Sequence, residues 1–407
     1  MEIIIDKGCG LDVHKETVVA CVMGSGIKKE IRTYSTMTGE LYKMKEWLKG
    51  LGVTHVAMES TGVYWKPIFN ILEDSFEVIL VNARHIKNVP GRKTDVKDCE
   101  WICKLLRSGL VNGSFIPPRD IRELRDLTRY RRKLIEAISA EKNRVQKVLE
   151  DANIKLSSVV TDSFGTSGSE IIEELMRGEL TIDQMAGLAR GKLIKKKEKL
   201  KQALQGYFTA HHKFMIQVSL NHISAIEQQI AALDAAIDEK LKKHEKEYQL
   251  LQTIPGVKEH GASSIIGEIG TEMDKFASED HLSSWAGISP GNNESAGKKR
   301  SGHTTHGDTF LKSILVECAW AAVRTKNTYL KGKYHSLAGR RGKKRALIAV
   351  GHKILIMCYH IIKYKQSYKE LGADYLIQQR KQQIVRSHVR MLKKLGYTVD
   401  IKQPAAA

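Results

Sequence analysis

The first hundred residues alternate short apolar runs with turns and amphipathic stretches in an order that few folds accept. Ile3 to Ile5 and Gly10 to Val13 flank a first strand, and Thr17 to Met23 reads as a second. Lys28 to Tyr34 reads as a third, after the turn at Gly24-Ser25-Gly26. A helix is expected from about Gly39 to Lys49, then a strand from Val53 to Glu59, a helix from about Val63 to Leu72 and a strand from Glu77 to Asn82. A further amphipathic helix begins inside Gly91-Arg92-Lys93-Thr94-Asp95-Val96-Lys97-Asp98, with Ile102, Leu105 and Leu106 as its apolar side.

Three strands followed by α-β-α-β-α is the order of an α/β ribonuclease H-like fold. Asp12 then sits on the first strand, Glu59 at the end of the fourth, and Asp95 and Asp98 three residues apart at the start of a helix, on one face of it. Taken singly, Asp95 reads as a helix cap, Asp98 as a first-turn charge and Asp12 as a strand-end charge. Taken together, four acids from two strand ends and one helix suit phosphodiester chemistry. That chemistry uses one or two Mg²⁺ ions, about 4 Å apart when paired, to activate a nucleophile and carry charge on the leaving oxygen. Mg²⁺ prefers hard oxygen ligands and keeps several waters, so a few carboxylates suffice.

The chain has 407 residues, enough for two or three cores, with 66 Lys plus Arg against 46 Asp plus Glu and a formal net charge of +20. Such a basic excess points to a polyanion, with nucleic acid as the first candidate. No membrane partner is expected. No apolar run approaches the roughly 20 residues of a span, and the longest tract, Ala346 to Ile362, is broken by Gly351, His352, Lys353 and His360. The N-terminus lacks the pattern of a signal peptide, so the expected location is the cytoplasm. Six scattered cysteines without a C-x-x-C pair suit neither a zinc ribbon nor a disulfide framework. Cys99 and Cys103, one helical turn apart, read as packing residues.

Beyond Pro117-Pro118 the pattern turns helical. Leu124, Leu127, Leu134, Ile138, Val145 and Val148 form one stripe, and Ile223, Ile226, Ile230, Leu233 and Ile237 a second, as in long helices pairing as a coiled coil that mediates self-association. Between them, Ser157 to Ser169 reads as a loop and Leu193 to Lys201 as a lysine-rich helix face. The cations Arg129, Arg131, Arg132, Lys133, Lys142 and Arg144 either face solvent or contact phosphate. Leu251 to Val257 and Gly261 to Gly270 have the composition of a helix-hairpin-helix segment, whose backbone N–H groups meet phosphate, although Pro-Gly turns also simply end helices. Trp285 to His303 reads as a polar Gly/Ser/Asn loop ending in Lys298, Lys299 and Arg300, by composition a phosphate-binding loop. Arg340, Arg341, Lys343, Lys344 and Arg345 form a basic segment that leads into an apolar helix, where His352 reads as a packing residue. The expected division is 1–118, 119–247, 248–372 and a basic tail at 373–407.

Three blocks are specific in sequence, order and spacing: Gly10-Leu11-Asp12-Val13-His14-Lys15, Met58-Glu59-Ser60-Thr61-Gly62-Val63-Tyr64-Trp65 and Lys93-Thr94-Asp95-Val96-Lys97-Asp98. They resemble the signature blocks of the DEDD-type transposases of bacterial insertion sequences, the IS one-ten and IS eleven-eleven groups, with the pilin-gene invertases as relatives. The resemblance implies a RuvC-like domain whose metal-binding carboxylates are Asp12, Glu59, Asp95 and Asp98. It also implies a mainly helical C-terminal transposase domain in which a serine before a Gly-Lys pair is the nucleophile, here Ser295. Two departures stand out: Glu294 and Ala296 flank that serine, and the later Lys-Arg-Gly-Asp block reads Thr305-His306-Gly307-Asp308. Ser289 and Ser301 are the alternatives. The family further implies Mg²⁺, a covalent phosphoserine link to DNA, a homotetramer, and a structured guide RNA from the element that pairs with donor and target DNA. A junction-resolving nuclease without serine chemistry and a non-catalytic nucleic-acid-binding protein are the competing readings.

Overall fold

The computed structural model describes residues 3–60, 62–81, 98–111, 113–290, 293–295, 298–301, 303–304 and 306–400, and of 293–295, 298–301, 380 and 382–384 the backbone alone. It divides into two compact units, Met1–Ile116 and Pro117–Ala407.

The first unit is a mixed five-stranded sheet in the order β3-β2-β1-β4-β5. Strands β1 (Gly8–Val13), β2 (Thr17–Gly24) and β3 (Ile27–Ser35) form an antiparallel meander, and β1, β4 (His55–Glu59) and β5 (Glu77–Val81) run parallel. This is the strand order expected of a ribonuclease H-like fold. The first strand starts later than its apolar residues suggest. The N–H groups of Ile4 and Ile5 donate to the Arg107 carbonyl at 2.8 and 3.1 Å rather than to a strand.

Alternate residues of β1 face opposite ways, and the two faces are covered differently. Leu11 and Val13, with Val56 and Met58 of β4, pack against Leu41, Met44 and Leu48 of α1 (Thr38–Gly50) and Ile68 and Leu72 of α2 (Trp65–Leu72). The opposite face takes α3 (Asp98–Arg107), whose Trp101, Ile102, Leu105 and Leu106 meet Ala57 and Val81. That helix lies directly on the backbone of β1. A Cβ at Gly10 would stand 2.2 Å from the Cys99 carbonyl oxygen and 2.4 Å from the Cys103 nitrogen.

The second unit is helical apart from one hairpin among its described residues. Its longest members, α4 (Arg119–Asp151) and α9 (Ala210–Leu241), run antiparallel side by side. The pairs Asp151–His212 (3.0 Å), Glu141–His222 (2.8 Å), Arg131–Asp234 (2.5 Å) and Glu123–Lys240 fix the direction, because each step down one helix is a step up the other. Leu124, Leu134, Val145 and Leu149 are buried on α4, and Ile216, Ile223, Ile226 and Ile237 on α9.

Between these helices the chain folds into α5 (Leu156–Val159), α6 (Thr166–Arg177), α7 (Ile182–Gly187), a 3-10 turn at Gly191–Lys196 and α8 (Lys197–Leu204). Ile154, Leu156, Ile171, Ile172, Met176 and Leu200 bury their side chains together there. The segment expected to be a loop, Ser157 to Ser169, is therefore partly helical, because Val159 and Val160 belong to that core. Within the lysine run, Leu200 is buried while Lys195 and Lys197 stay exposed.

The remainder comprises α10 (Glu245–Leu251), α11 (Glu259–Ile269), α12 (Glu279–Trp285), the hairpin β6 (Asn293–Ser295) and β7 (Lys298–Ser301), α13 (Thr309–Arg324), α14 (Tyr329–Arg341), α15 (Lys343–Tyr364) and α16 (Tyr375–Lys394). Helix α15 is long and apolar enough to cross a membrane, but it packs among α10, α12, α13 and α14, with Val350, Ile354, Leu355, Cys358 and Ile362 buried. It is the core helix of this unit. The expected basic tail begins as α16, which meets α14 through the Tyr329 and Tyr375 rings, 5.9 Å apart.

Candidate active site

Strand register brings the first two acids together. Strand β1 pairs with β4 from Gly8 opposite His55 to Leu11 opposite Met58. Asp12 and Glu59 are the residues that follow the last pair of that register, Leu11 and Met58, at the carboxyl ends of the two strands. Both residues fall on the α3 face, since each lies an even number of steps from a residue facing α3, Gly10 on β1 and Ala57 on β4.

Helix α3 enters from that same end. Its Cys99 carbonyl lies over Gly10, while its Leu106 and Arg107 side chains lie beside Gly8, so it runs antiparallel to β1. Its N-terminus therefore points to the carboxyl end of the strands, where Asp98 begins it. The partial positive charge of that terminus favours nearby carboxylates. Asp12, Glu59 and Asp98 thus share one face and one end of the sheet. Asp95 and Lys93 lie outside the described residues.

Asp12 is partly exposed and its Oδ2 lies 3.3 Å from Nε2 of His14. His14 was not singled out from the sequence. Its signal was the spacing of two from Asp12 on an extended segment, which places both side chains on one side. Beneath the acids, Cys21 of β2 and Cys99 and Cys103 of α3 are buried together. A hydrogen bond with Cys103 and burial push the Cys21 thiol up to about 12, and contact with Cys21 and burial push Cys99 higher still. Cys21 and Cys99 stay neutral, and Cys99 and Cys103 pack in the core as expected.

The acids fit Mg²⁺ in kind, being hard oxygen donors without a thiolate among them. Among the described residues, no group of three or more His, Cys, Asp or Glu side chains converges closely enough to hold an ion.

Ser295 is the last residue of β6 and pairs with Lys298 of β7. The polar loop expected from composition is thus a short antiparallel hairpin around 296–297. Its base is closed by a bridge between Pro290 and Thr304 and by backbone contact of Gly287 with Gly307. The side chains of Ser295, Lys298, Lys299, Arg300 and Ser301 lie outside the described residues, and Ser289 is half-buried.

The cations divide into two groups. Arg340, Arg341, Lys343, Lys344 and Arg345 are all exposed, and none of them has an ion-pair partner among the described residues. The last three occupy the first turn of α15, where the helix dipole repels cations. Those of α4 are mostly committed elsewhere. Arg129 pairs with Glu268 and Asp308, Arg131 with Asp234, Arg132 with Glu317 and Glu136, Lys133 with Glu136 and Arg144 with Glu141. Lys142 lies over the Phe164 ring at 5.2 Å. Arg129, Arg131 and Arg132 thus tie α4 to other helices, while the pairs of Lys133 and Arg144 lie within α4. The partner Glu268, 2% exposed, was not singled out from sequence, because one acid within an apolar helix has no periodic signal.

A family model for DEDD transposases matches residues 9–154, and a model for transposases of the IS116/IS110/IS902 family matches 248–335. The two blocks together take in more than half of the chain. The chain belongs to the IS110 family of transposases. A Sinorhizobium fredii protein (strain NBRC 101917 / NGR234) assigned as transposase y4pF/y4sB is 27% identical over 225 aligned residues, covering 47% of this chain. The chain spans 58% of that relative's length. The carboxylate region and the hairpin fall in the first and second matched blocks of this IS110-family transposase, while α16 follows both.

Proposed function

We propose that this IS110-family chain is a DNA recombinase that moves an insertion sequence, cutting and rejoining strands through a Mg²⁺-dependent carboxylate cluster and a serine nucleophile. The observation that supports the reading is that Asp12 and Glu59 directly follow the last pair of the β1–β4 register, on the sheet face covered by the helix that Asp98 begins. Asp12, Glu59, Asp95 and Asp98 would hold the ion, which when bound supplies positive charge at a target phosphate. The Ser295 hydroxyl attacks that phosphorus. A serine O–P bond forms, a P–O bond to deoxyribose breaks, and the leaving oxygen takes a proton. The phosphoserine ester conserves the energy of the broken bond, so a strand hydroxyl can reverse the step on another DNA end without ATP.

Lys298, Lys299 and Arg300 would offset phosphate charge beside the serine, and Lys93 would contact the nucleic-acid backbone. Arg340, Arg341, Lys343, Lys344 and Arg345 form an exposed cationic segment suited to a nucleic-acid backbone. The turn between α10 and α11 serves as a helix-hairpin-helix contact to phosphate. The α4–α9 pair acts as the coiled coil of a homotetramer. Sequence choice falls to a structured guide RNA paired with donor and target, leaving the protein to read backbone and shape.

Adduct trapping tests this reading. The full chain is incubated with a duplex carrying the element's end, the flanking non-coding RNA and Mg²⁺, then run on a denaturing gel. Wild type gives a protein–DNA band, and Ser295→Ala and Asp12→Asn both lose it. Cleavage without an adduct, undiminished in Ser295→Ala, overturns the serine and leaves a metal-dependent nuclease. Binding that needs none of the acids or the serine, with no cleavage, leaves a nucleic-acid-binding protein.

A further inference from the structure

The hairpin that carries Ser295 is a two-stranded polar ribbon, and an isolated ribbon of this kind has little stability of its own. Its base, however, is joined to a buried cluster of charge. Gly287 and Gly307 touch backbone to backbone there, with room for no Cβ on either: one at Gly307 would stand 2.2 Å from the Gly287 nitrogen. The next residue, Asp308, is the N-cap of α13, accepting from the Leu311 N–H at 2.9 Å with one carboxylate oxygen. Its other oxygen receives a hydrogen bond from Arg129 at 2.8 Å.

Arg129 is itself held in place. Its guanidinium donates to both oxygens of Glu268, at 2.7 and 2.8 Å, and lies over the Phe310 ring at 4.5 Å. Arg125 donates to the Gly267 and Glu268 carbonyls at 3.0 and 2.6 Å and pairs with the Glu268 carboxylate at 3.1 Å. Two arginines of α4, one acid of α11 and the cap of α13 therefore close into a set with two positive and two negative charges. A bidentate guanidinium fixes orientation as well as distance.

The geometry points to Arg129 and Asp308 as positioning residues, clamping the base of the Ser295 hairpin to helix α4. Neither touches the reacting atoms. The clamp sets where the hairpin stands, and it makes α4 the element through which any shift along the helical pair reaches the serine. This inference rests on the assignment of Ser295 as nucleophile.

The decisive variant is Asp308→Asn in the full chain, because asparagine caps a helix as well as aspartate does but lacks the charge that meets Arg129. The melting temperature is expected to fall by only a few degrees, since asparagine keeps the cap on Leu311 and Arg129 keeps both oxygens of Glu268. Adduct formation on the element-end duplex should fall about tenfold or more, as misplacement of a reacting group dictates. Amide hydrogen exchange should rise about tenfold in residues 286–307 while α11 and α13 keep their protection. Arg129→Lys, which keeps charge but not the fork, should fall between Asp308→Asn and wild type. Unchanged exchange in the hairpin, or an equal rise across the hairpin, α11 and α13, overturns the positioning role and leaves a purely structural one. Should Ser295→Ala still form the adduct, the nucleophile assignment fails, while the exchange measurement alone continues to decide the clamp.

Discussion

The carboxylate region and the serine hairpin are held by opposite means. Asp12 and Glu59 stand at the ends of core strands, behind which lie apolar side chains, the buried Cys21, Cys99 and Cys103, and the contact of α3 with Gly10. Nothing there depends on a buried ion pair among the described residues. The hairpin depends at its base on Arg129, Glu268 and Asp308, a set whose charges are useful only in each other's company. A packed sheet fixes a site by shape, which tolerates changes of charge and fails on changes of volume. A buried charge cluster behaves the other way, tolerating small changes of volume and failing when one partner is lost.

Volume change in the first unit should give the largest effect. Gly10→Val drives a branched side chain into the α3 backbone and is expected to cost at least about 3 kcal/mol, an overpacking penalty at its upper end. Loss of protection of residues 1–116 in limited proteolysis, with 117–407 still resistant, checks it, and resistance equal to wild type contradicts the close approach. Loss of charge in the second unit should follow closely. Arg129→Ala leaves the buried Glu268 short of a partner and is expected to cost about 3 kcal/mol, the low end for a broken buried pair because Arg125 remains. Urea unfolding measures it, and a cost under about 1 kcal/mol would rank the cluster with ordinary surface pairs.

Away from both regions the sensitivity should drop. Thr209 and His212 form a capping box at the start of α9, and Thr209→Ala is expected to lose about 1 kcal/mol in the same assay. The smallest effect concerns pH. A hydrogen bond from Lys104, then one from Lys29, holds the Glu100 carboxyl below its ordinary 4.5. A carboxyl depressed in the folded state contributes stability above pH 4.5 that is lost as pH falls below it. Glu100→Gln should therefore be slightly less stable than wild type near neutral pH, and the gap should narrow as pH falls below 4.5. A gap of constant size would mean that the pairing across β3 and α3 contributes nothing.

Much of the first unit was readable from its residues. The meander, the alternation that follows it and the strand-end positions of Asp12 and Glu59 come from period-two runs between turns, a purely local signal. The long helices α4 and α9 were equally plain from their stripes. The small helical cluster between them was not, since Val159, Val160 and Ile171 become a core only when brought onto Val145 and Ile216 from distant segments. The serine block read as a loop because a hairpin this short and polar has no alternating apolar face to announce it. The pairing of Arg129 and Arg131 had no local signal because their acidic partners, Asp234, Glu268 and Asp308, lie about a hundred or more residues away in the chain.

By itself, then, the sequence determined where strands and helices form, which acids end the strands, and the family resemblance carried by three spaced blocks. Those are matters of local pattern and of residues close in the chain. Tertiary structure decided the pairings that local pattern leaves open: the parallel register of β1 with β4 that ends at Leu11 and Met58, the descent of α3 onto Gly10, and the capture of Arg129 between Glu268 and Asp308. Each of these depends on groups far apart in sequence, and the energy of close packing or of a buried charge exists only once the chain has brought them together.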